Sequence, residues 1–240
     1  MQAYLINLDR STERLAAAEA QLRTAQRVYE RISAVDGRAL TFRERHRACS
    51  YGRYFVAHGC FPNKGQVGCT MSHTSVYRTM VEKQIPYALI LEDDVKIFPE
   101  AMKRAIELVE TVVKPENRTI WLLHNHHQTL PPEGGEGFVP MVLAHCMEAY
   151  VITLAAAQLL LEKNVPMVTM CDNFARWVKH GIDVEMVFPI AACQSGMTSD
   201  ILGEIIVPRR TSWRWYVVLW EMRMAVFHAF DRFLFYLTGR

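Results

Sequence analysis

Short apolar runs alternate along the chain with stretches whose apolar residues recur every three or four positions. The first pattern is typical of buried strands and the second of amphipathic helices. Strands are predicted at Tyr4–Leu8, Val28–Ile32, Tyr87–Leu91, Thr119–Leu123, Glu148–Thr153 and Val184–Pro189. Helices are predicted after Asp9, at Gly65–Lys83, after Pro99, at Leu154–Lys163 and between Asp172 and Gly181. Strands that alternate with helices favour an α/β sheet with crossover helices.

Two stretches of the chain show neither pattern. Residues 39–66 are rich in Arg, His and Gly, and we predict an irregular, mobile loop there. Residues 128–140 contain too much Gly and Pro for regular structure. Loops of that length are often functional lids, so both stretches are expected to lie near a binding site.

The stretch Tyr87–Val95 (YALILEDDV) carries the strongest chemical signal. Its apolar run ends in three consecutive carboxylates, Glu92, Asp93 and Asp94. In an extended chain alternate residues share a face, which predicts Glu92 and Asp94 on one side and Asp93 on the other. Crowded carboxylates at the end of an interior strand repel one another, and a hard divalent cation with oxygen ligands would compensate them. The alternative is a solvated acidic turn.

Other polar residues follow predicted strands, at the edge where open α/β sheets bind ligands. Asn7 and Arg10 come after the first strand, where they meet a ligand or serve as ordinary loop residues. Asp36 follows the second strand in the sequence AVDG. A carboxylate there can bind ribose hydroxyls, although Asp-Gly is also a common turn. The placement of these polar residues after predicted strands indicates a nucleotide-binding site. The alternative is that they belong to ordinary turns.

The helix predicted from Gly65 opens with the sequence GQVGCTMSH. Gly68 permits a close backbone approach, and the free amides of a helix start attract anions. Ser72 and His73 are expected in the first turns of this helix. There His73 either contacts a ligand directly or is an ordinary hydrogen-bonded residue.

Two later sets of residues have competing interpretations. His124, His126 and His127 suggest zinc, but no second ligand cluster follows at a usual spacing, so a role facing an acceptor or on the surface is favoured. Asp172 precedes the last predicted helix, where it serves either as an N-cap or as a chemical group.

Charge and composition narrow the class of protein. The 240 residues carry a formal charge of +2, but this charge is unevenly distributed. From Arg209 onward there are six arginines and only two acidic residues, Glu221 and Asp231. The basic character is therefore confined to the tail, which argues against a nucleic-acid surface. The six cysteines show no framework spacing, as expected of thiols in a reducing compartment. The first residues lack the apolar region of a signal peptide, so a cytoplasmic protein is expected.

The tail, residues 208–240, is predicted to form a basic amphipathic helix separate from the domain at residues 1–207. Between Ser212 and Leu237 most positions are apolar, and Arg214, Glu221 and His228 recur at seven-residue intervals. Tryptophans and arginines suit an anionic bilayer interface, so in-plane membrane attachment is expected. A dimerising or core-docking helix is the alternative.

Several segments together resemble glycosyltransferase family 25, which includes bacterial lipooligosaccharide glycosyltransferases. They span residues 4–200 and are INLDRSTER, AVDG, GQVGCTMSH, YALILEDDV, AYVIT, and Asp172 followed by PIAACQS. The resemblance implies a GT-A-like fold, with a mixed, mostly parallel sheet flanked by helices. It also implies a UDP-sugar donor, a divalent cation (Mn²⁺ or Mg²⁺) and inversion at the sugar carbon.

The same resemblance implies roles for individual residues. Asp94 would bind the metal, with Glu92 or Asp93 reaching the metal, its water, the ribose or the sugar. Asn7 and Arg10 would contact the nucleotide, whereas Ser72, His73 and Gln194 would lie near the donor. Asp172 would be the general base that takes the acceptor proton. Here PMVTMCDN replaces the family's more compact Pro-Val-Asp, and Asp183 and Asp200 remain as alternatives.

The predicted function is metal-dependent, inverting transfer of a hexose, galactose or glucose, to a lipid-linked oligosaccharide such as the lipopolysaccharide core. The protein would work at the inner face of the cytoplasmic membrane. An inactive nucleotide-sugar- or lipid-binding protein of the same fold is the alternative. The animal collagen-galactosyltransferase branch should carry a signal peptide and a retention motif, and this sequence shows neither.

Overall fold

The structure is a computed structural model, and it describes residues 1–125, 129–142, 144 and 146–196. The predicted tail at 208–240, together with His126, His127 and Asp200, lies outside the described residues. Within them no helix is both long and apolar enough to cross a bilayer.

The described residues form a seven-stranded sheet and a two-stranded sheet. The strands are β1 (Gln2–Asn7), β2 (Glu30–Ser33), β3 (Tyr87–Glu92), β4 (Val95–Ile97), β5 (Thr119–Leu122), β6 (Gly137–Pro140), β7 (Ala149–Thr153), β8 (Asp183–Phe188) and β9 (Ala192–Gln194). The large sheet has the order β2-β1-β3-β7-β5-β8-β6, and β4 pairs with β9. β7 and β6 run antiparallel to their neighbours, whereas the pairs β1–β2, β1–β3 and β5–β8 are parallel. The predicted mixed α/β sheet is confirmed.

Helices cover both faces of the large sheet. They are α1 (Thr12–Thr24), α2 (Phe42–Ala48), α3 (Tyr51–His58), α4 (Lys64–Glu82), α5 (Pro99–Val112), α6 (Leu154–Asn164) and α7 (Phe174–Lys179). Along β3, Ala88 and Ile90 pack with α4, α6 and α7, and Leu89 and Leu91 pack with α1 and α5. Because successive side chains of a strand point to opposite faces, a strand covered on both sides is apolar throughout.

Residues 39–66 are not an irregular loop, so that prediction is wrong. α2 begins after Thr41, whose hydroxyl accepts a hydrogen bond from the backbone N–H of Glu44, while the Glu44 carboxylate accepts one from the backbone N–H of Thr41. This capping box starts the helix, and α3 ends at Gly59, which has a φ of +68°. α2 contains no buried residue, so it lacks the apolar periodicity that would reveal it in the sequence.

Two other boundaries differ from the prediction. The stretch predicted as a loop at 128–140 contains β6, an edge strand that pairs with β8 and ends at Pro140; proline is tolerated at an edge. α4 begins at Lys64 with Asn63 as its capping residue. Ser72 and His73 therefore lie in its third turn, and Gly68 lies inside the helix, away from the free amides of its start.

The strand register brings the carboxyl ends of three strands, β1, β2 and β3, to one edge of the sheet. Ile6 lies opposite Glu92 in the β1–β3 pair, and Asn7 lies opposite Ser33 in the β1–β2 pair. The residues that follow β1, β2 and β3 therefore emerge side by side. This edge holds the candidate site.

Candidate functional site

An open cleft lies at this edge of the sheet. Its walls are the ends of β1 and β3, the loop after β2, and α4. The predicted residues that line it are Asn7, Arg10, Asp36, Ser72, His73 and the acids at positions 92–94. Side chains that are distant in sequence and were predicted separately thus share one cavity.

The three acids divide between two partners in a way that the alternating pattern did not predict. The chain turns at Asp93 and Asp94, so these two carboxylates share the guanidinium of Arg14, which ion-pairs with Asp93 and lies 3.2 Å from Asp94 Oδ2. Glu92, still in β3, instead contacts His73. The pairing of Glu92 with Asp94 on one face is therefore wrong, because the strand ends before Asp93.

Asp94 is the acid whose environment least suits a bare carboxylate. It is 6% exposed, and its Oδ1 atom has no hydrogen-bond partner in the described part of the chain. Burial raises the pKa of its carboxyl to about 6, the charge of Glu92 adds to the rise, and Arg14 acts against it. A buried acceptor without a donor costs free energy unless a cation or water meets it.

Asp93 is held more completely. Asn7 Nδ2 donates a 2.6 Å hydrogen bond to Asp93 Oδ2, and Arg31 Nε donates one of 3.0 Å to Asn7 Oδ1. Burial raises the pKa of Asp93, while Arg14 and Asn7 oppose the rise. Asn7, which itself lines the cleft, therefore orients the carboxylate of Asp93.

A buried hydrogen-bonded chain continues from Glu92 into the core. His73 Nε2 lies 2.9 Å from Glu92 Oε1, His73 Nδ1 lies 2.8 Å from the hydroxyl of Tyr150, and that hydroxyl lies 2.9 Å from the hydroxyl of Tyr77. Burial acts to lower the pKa of His73, but Cys171 and Glu92 outweigh it and raise the pKa to about 9. Burial likewise acts to raise the pKa of Glu92, and the bond to His73 lowers it. The contact between the two side chains therefore favours the anionic form of Glu92 and the cationic form of the ring.

The opposite wall joins the loop after β2 to α4. Ser72 Oγ accepts a 2.9 Å hydrogen bond from the Val35 backbone N–H and donates one of 2.8 Å to the Gly68 carbonyl. Gly68 itself lies behind the cleft surface, and its role is close packing of α4 against this loop. At the mouth, Arg10 ion-pairs with Asp36. Both side chains are partly exposed, so a ligand can reach them.

Besides Gly68, three predicted residues in the described part of the chain lie outside the cleft lining. The carboxylate of Asp172 accepts a 3.1 Å hydrogen bond from the Cys146 backbone N–H. It does not cap α7, because Asn173 does. Gln194 pairs with Val95 across β4 and β9, next to the acidic turn. Asp183 begins β8, at the amino ends of the parallel strands, and so lies at the sheet edge opposite the cleft.

His124 does not have the predicted surface role. It is 1% exposed, its Nδ1 lies 3.2 Å from the Ala149 carbonyl, and its Nε2 lies 3.8 Å from Glu148 Oε2. The strand β5 ends just before it, so its ring is carried into the core beside β7. Its neighbours in the sequence at 126 and 127 lie outside the described residues.

Arg14 and Cys69 also line the cleft, although neither was singled out from the sequence. Arg14 lies in the first turn of α1, within the segment INLDRSTER. The sequence could have predicted it as a site residue, because α1 starts at the ligand-binding edge of the sheet. Cys69 lies one turn before His73 on α4, and nothing in its local sequence separates it from a core cysteine. All six cysteines are in the described part of the chain and are free thiols.

The chemistry of the cleft fits a hard divalent cation. Asp94 supplies an oxygen without a donor, and Asp93 and Glu92 stand beside it in the chain. Carboxylate oxygens are the ligands that Mn²⁺ and Mg²⁺ prefer. Arg14 contacts the carboxylates of Asp93 and Asp94, so a bound cation would share these two acids with its guanidinium.

Comparison with known proteins identifies the family. The model of "Glycosyltransferase family 25 (LPS biosynthesis protein)" matches residues 1–175. Human procollagen galactosyltransferase 2 is 28% identical over 183 residues, covering 68% of this chain and 28% of the relative. Zebrafish (Danio rerio) procollagen galactosyltransferase 1 is 28% identical over 205 residues, covering 77% and 33%. A rat relative, probable inactive glycosyltransferase 25 family member 3, is 28% identical over 170 residues, covering 67% and 29%.

This chain therefore spans about a third or less of the length of these curated relatives. A solved glycosyltransferase involved in glycosylation of the major capsid of PBCV-1 aligns with a TM-score of 0.36 and 9% identity, covering 72% of this chain and 70% of that one. The family match extends over most of the chain, including every segment that forms the cleft. The resemblance seen in the sequence motifs is confirmed, and the chain belongs to glycosyltransferase family 25.

Proposed function

We propose that the protein is a metal-dependent, inverting glycosyltransferase that moves a hexose from a UDP-sugar to a lipid-linked oligosaccharide. One observation carries the proposal: Arg10 and Asp36, at the mouth of the cleft, face the same cavity as a buried acid with an unpartnered oxygen, Asp94. A nucleotide diphosphate needs this combination of an arginine, a ribose-binding carboxylate and a cation site.

The chain's own residues would bind and orient the donor. Arg10 exchanges its ion pair with Asp36 for a phosphate oxygen, which frees the Asp36 carboxylate to accept hydrogen bonds from the ribose. Asn7 keeps Asp93 in place, and His73 keeps Glu92 ionised. Asp94, with Glu92, would hold Mn²⁺ or Mg²⁺, and the bound cation supplies charge stabilisation for the departing diphosphate.

Asp172 is the proposed general base. The observation that supports this role is that its charge acts on His73, a residue of the cleft wall, in the direction that raises the pKa of the ring. Gln194, beside the acidic turn, is proposed to contact the donor sugar. The attacking hydroxyl must lose a proton as the bond to the sugar carbon forms, and the carboxylate of Asp172 would take that proton.

Galactose is the favoured hexose, with glucose second, because relatives are named galactosyltransferases. A lipopolysaccharide-type acceptor is favoured by the description of the family that matches the chain. The basic tail would hold the protein at the inner face of the cytoplasmic membrane, next to such an acceptor.

A second function is an inactive protein that binds a nucleotide sugar or a lipid. The observation that favours it is the presence of relatives named as inactive members of the family, in rat and mouse. It would use the same cleft, bind the donor and release no product.

A screen of UDP-sugars with and without Mn²⁺ tests the proposal. We expect Mn²⁺-dependent release of UDP from one or two hexose donors, and faster release when lipooligosaccharide is added than when procollagen peptides are added. Binding of the donor by calorimetry without turnover on either acceptor would favour the inactive protein. Neither binding nor turnover with any UDP-sugar would contradict both functions.

The pKa of Asp94 predicts how metal affinity depends on pH. A proton and the cation compete for the same carboxylate. With a pKa of about 6, Asp94 is ionised above that pH, so the Kd for Mn²⁺ should be constant there. Below it the Kd should rise about tenfold per pH unit. Titration of Mn²⁺ by calorimetry between about pH 5 and pH 8 measures this, and a flat profile would contradict the role of Asp94.

A further inference from the structure

Behind the wall of the cleft, two thiols and an imidazole converge. Cys69 Sγ lies 3.9 Å from Cys171 Sγ, and a ring nitrogen of His73 lies within 4.8 Å of both sulfurs. Cys69 and His73 are one turn apart on α4, and Cys171 comes from the segment before α7, 102 residues away from Cys69 in the chain. In the described part of the chain this is the one group of three or more such side chains close enough to share an ion.

The two thiols form a hydrogen bond with each other, and the same spacing suits two ligands on one metal ion. Zn–S bonds of about 2.3 Å at a tetrahedral angle place two sulfurs about 3.8 Å apart, close to the 3.9 Å found here. A disulfide would require about 2.05 Å. Thiolate and imidazole together select a soft or borderline ion such as Zn²⁺ over Mn²⁺ or Mg²⁺.

We propose that Cys69, Cys171 and His73 form a site for a soft divalent cation of the Zn²⁺ class, separate from the carboxylates of the cleft. One ring nitrogen of His73 exchanges its present hydrogen bond for the ion, and the other keeps its partner. If Glu92 is the partner retained, it orients the ring as carboxylates do for metal-bound histidines. The hydroxyl of Tyr150 still has the hydroxyl of Tyr77 within 2.9 Å.

The surroundings favour a cation and give it a route of entry. Cys69 lines the cleft, whereas Cys171 is 4% exposed and His73 is 1% exposed. The carboxylates of Glu92 and Asp172 act electrostatically on Cys69, so negative charge surrounds the cluster. Three protein ligands leave one position for water or a ligand from the cleft, as in catalytic rather than structural zinc sites. The bound ion would also tie α4 to the segment before α7.

Titration of the reduced, chelator-treated 240-residue protein with Co²⁺, a spectroscopic substitute for Zn²⁺, tests the site. We expect one equivalent of Co²⁺ to produce a thiolate-to-cobalt charge-transfer band in the near ultraviolet, and one equivalent of Zn²⁺ to abolish it. Excess Mn²⁺ should leave the band in place. Cys69→Ser and Cys171→Ser should each weaken Co²⁺ binding by about tenfold or more, while the matched variant Cys60→Ser, altered at an exposed thiol, should bind like the parent.

A second measurement uses the parent protein alone and does not depend on the folding of variants. Alkylation followed by mass spectrometry should show Cys69 and Cys171 modified more slowly with Zn²⁺ than without it, and Cys60 modified at the same rate in both. The proposal is overturned if no thiolate band forms. It is also overturned if both serine variants bind Co²⁺ like the parent, or if Zn²⁺ protects none of the thiols. None of these outcomes bears on UDP-sugar turnover.

Discussion

Replacing Asp94 by asparagine should lower Mn²⁺-dependent turnover on the order of a hundredfold or more and, at neutral pH, raise the stability of the metal-free protein. Activity falls because a bound cation supplies several kcal/mol of stabilisation to the departing diphosphate, and an amide is a far weaker ligand than a carboxylate. Stability rises because the native protein buries the Asp94 charge with one oxygen unpartnered. A neutral side chain of the same shape removes that cost.

The pH at which the stability gain appears follows from the shift in pKa. Burial moves the pKa of Asp94 from 3.8 to about 6, so the unfolded chain ionises first and the native state is penalised as the pH rises. Below about pH 4 the carboxyl is neutral in both states, and Asp94→Asn should gain nothing. Between about pH 4 and pH 6 the gain should grow. Above pH 6 it should level off at up to about 3 kcal/mol, from about 1.4 kcal/mol per pKa unit.

Urea unfolding at several pH values and UDP-release assays with Mn²⁺ measure the two effects. Asp183→Asn is the matched control, because Asp183 is exposed at the opposite edge of the sheet, and it should change neither quantity. An Asp94→Asn variant that keeps the parent's dependence on Mn²⁺ would remove Asp94 from the metal site. Loss of stability at neutral pH would show that its ion pair with Arg14 outweighs the cost of burial.

Replacing Gly37 by alanine should destabilise the fold by about 3 kcal/mol and weaken donor binding. A Cβ at Gly37 would lie 1.8 Å from the Lys64 carbonyl oxygen and 2.9 Å from the Gly68 amide nitrogen. These are backbone atoms of α4, so no side chain can rotate away to make room. The loop after β2 would have to move off α4, breaking the hydrogen bond from Val35 to Ser72 and displacing Asp36 from the cleft.

The matched control is Gly52→Ala, in α3. A Cβ there has no atom within 4 Å among the described residues, and alanine is favoured over glycine in a helix by about 1 kcal/mol. Urea unfolding should therefore give opposite signs for the two substitutions, and calorimetry with UDP should show weaker binding for Gly37→Ala alone. Equal stability of the two variants would mean that the loop and α4 separate without cost.

The local elements of the fold could be predicted from the sequence. The apolar runs and helical periods placed β1, β2, β3, β5, β7 and β8 and the helices α1 and α4–α7 within a few residues, because strand and helix periods depend on neighbouring residues alone. The position of Asn7, Asp36 and the acids after strands also predicted one shared edge. The motifs predicted the family. The helix α2 was missed because an exposed helix is held by caps, as Thr41 and Glu44 hold α2, rather than by an apolar face. The helix α3 was missed because it buries a single residue, Tyr54, which sets no apolar period.

The partners of the site residues were decided by the tertiary structure. The pairing of β1 with β3 brings Asn7 to Asp93, the turn after Glu92 delivers Asp93 and Asp94 to Arg14, and the packing of α4 sets His73 against Glu92. Cys69 and Cys171 meet across 102 residues of chain because α4 packs beside the segment before α7. The sequence by itself determined which side chains are available and which edge of the sheet they reach. Which of them touch depends on strand register and helix packing, because these are set by the burial of the whole core rather than by residues near the site.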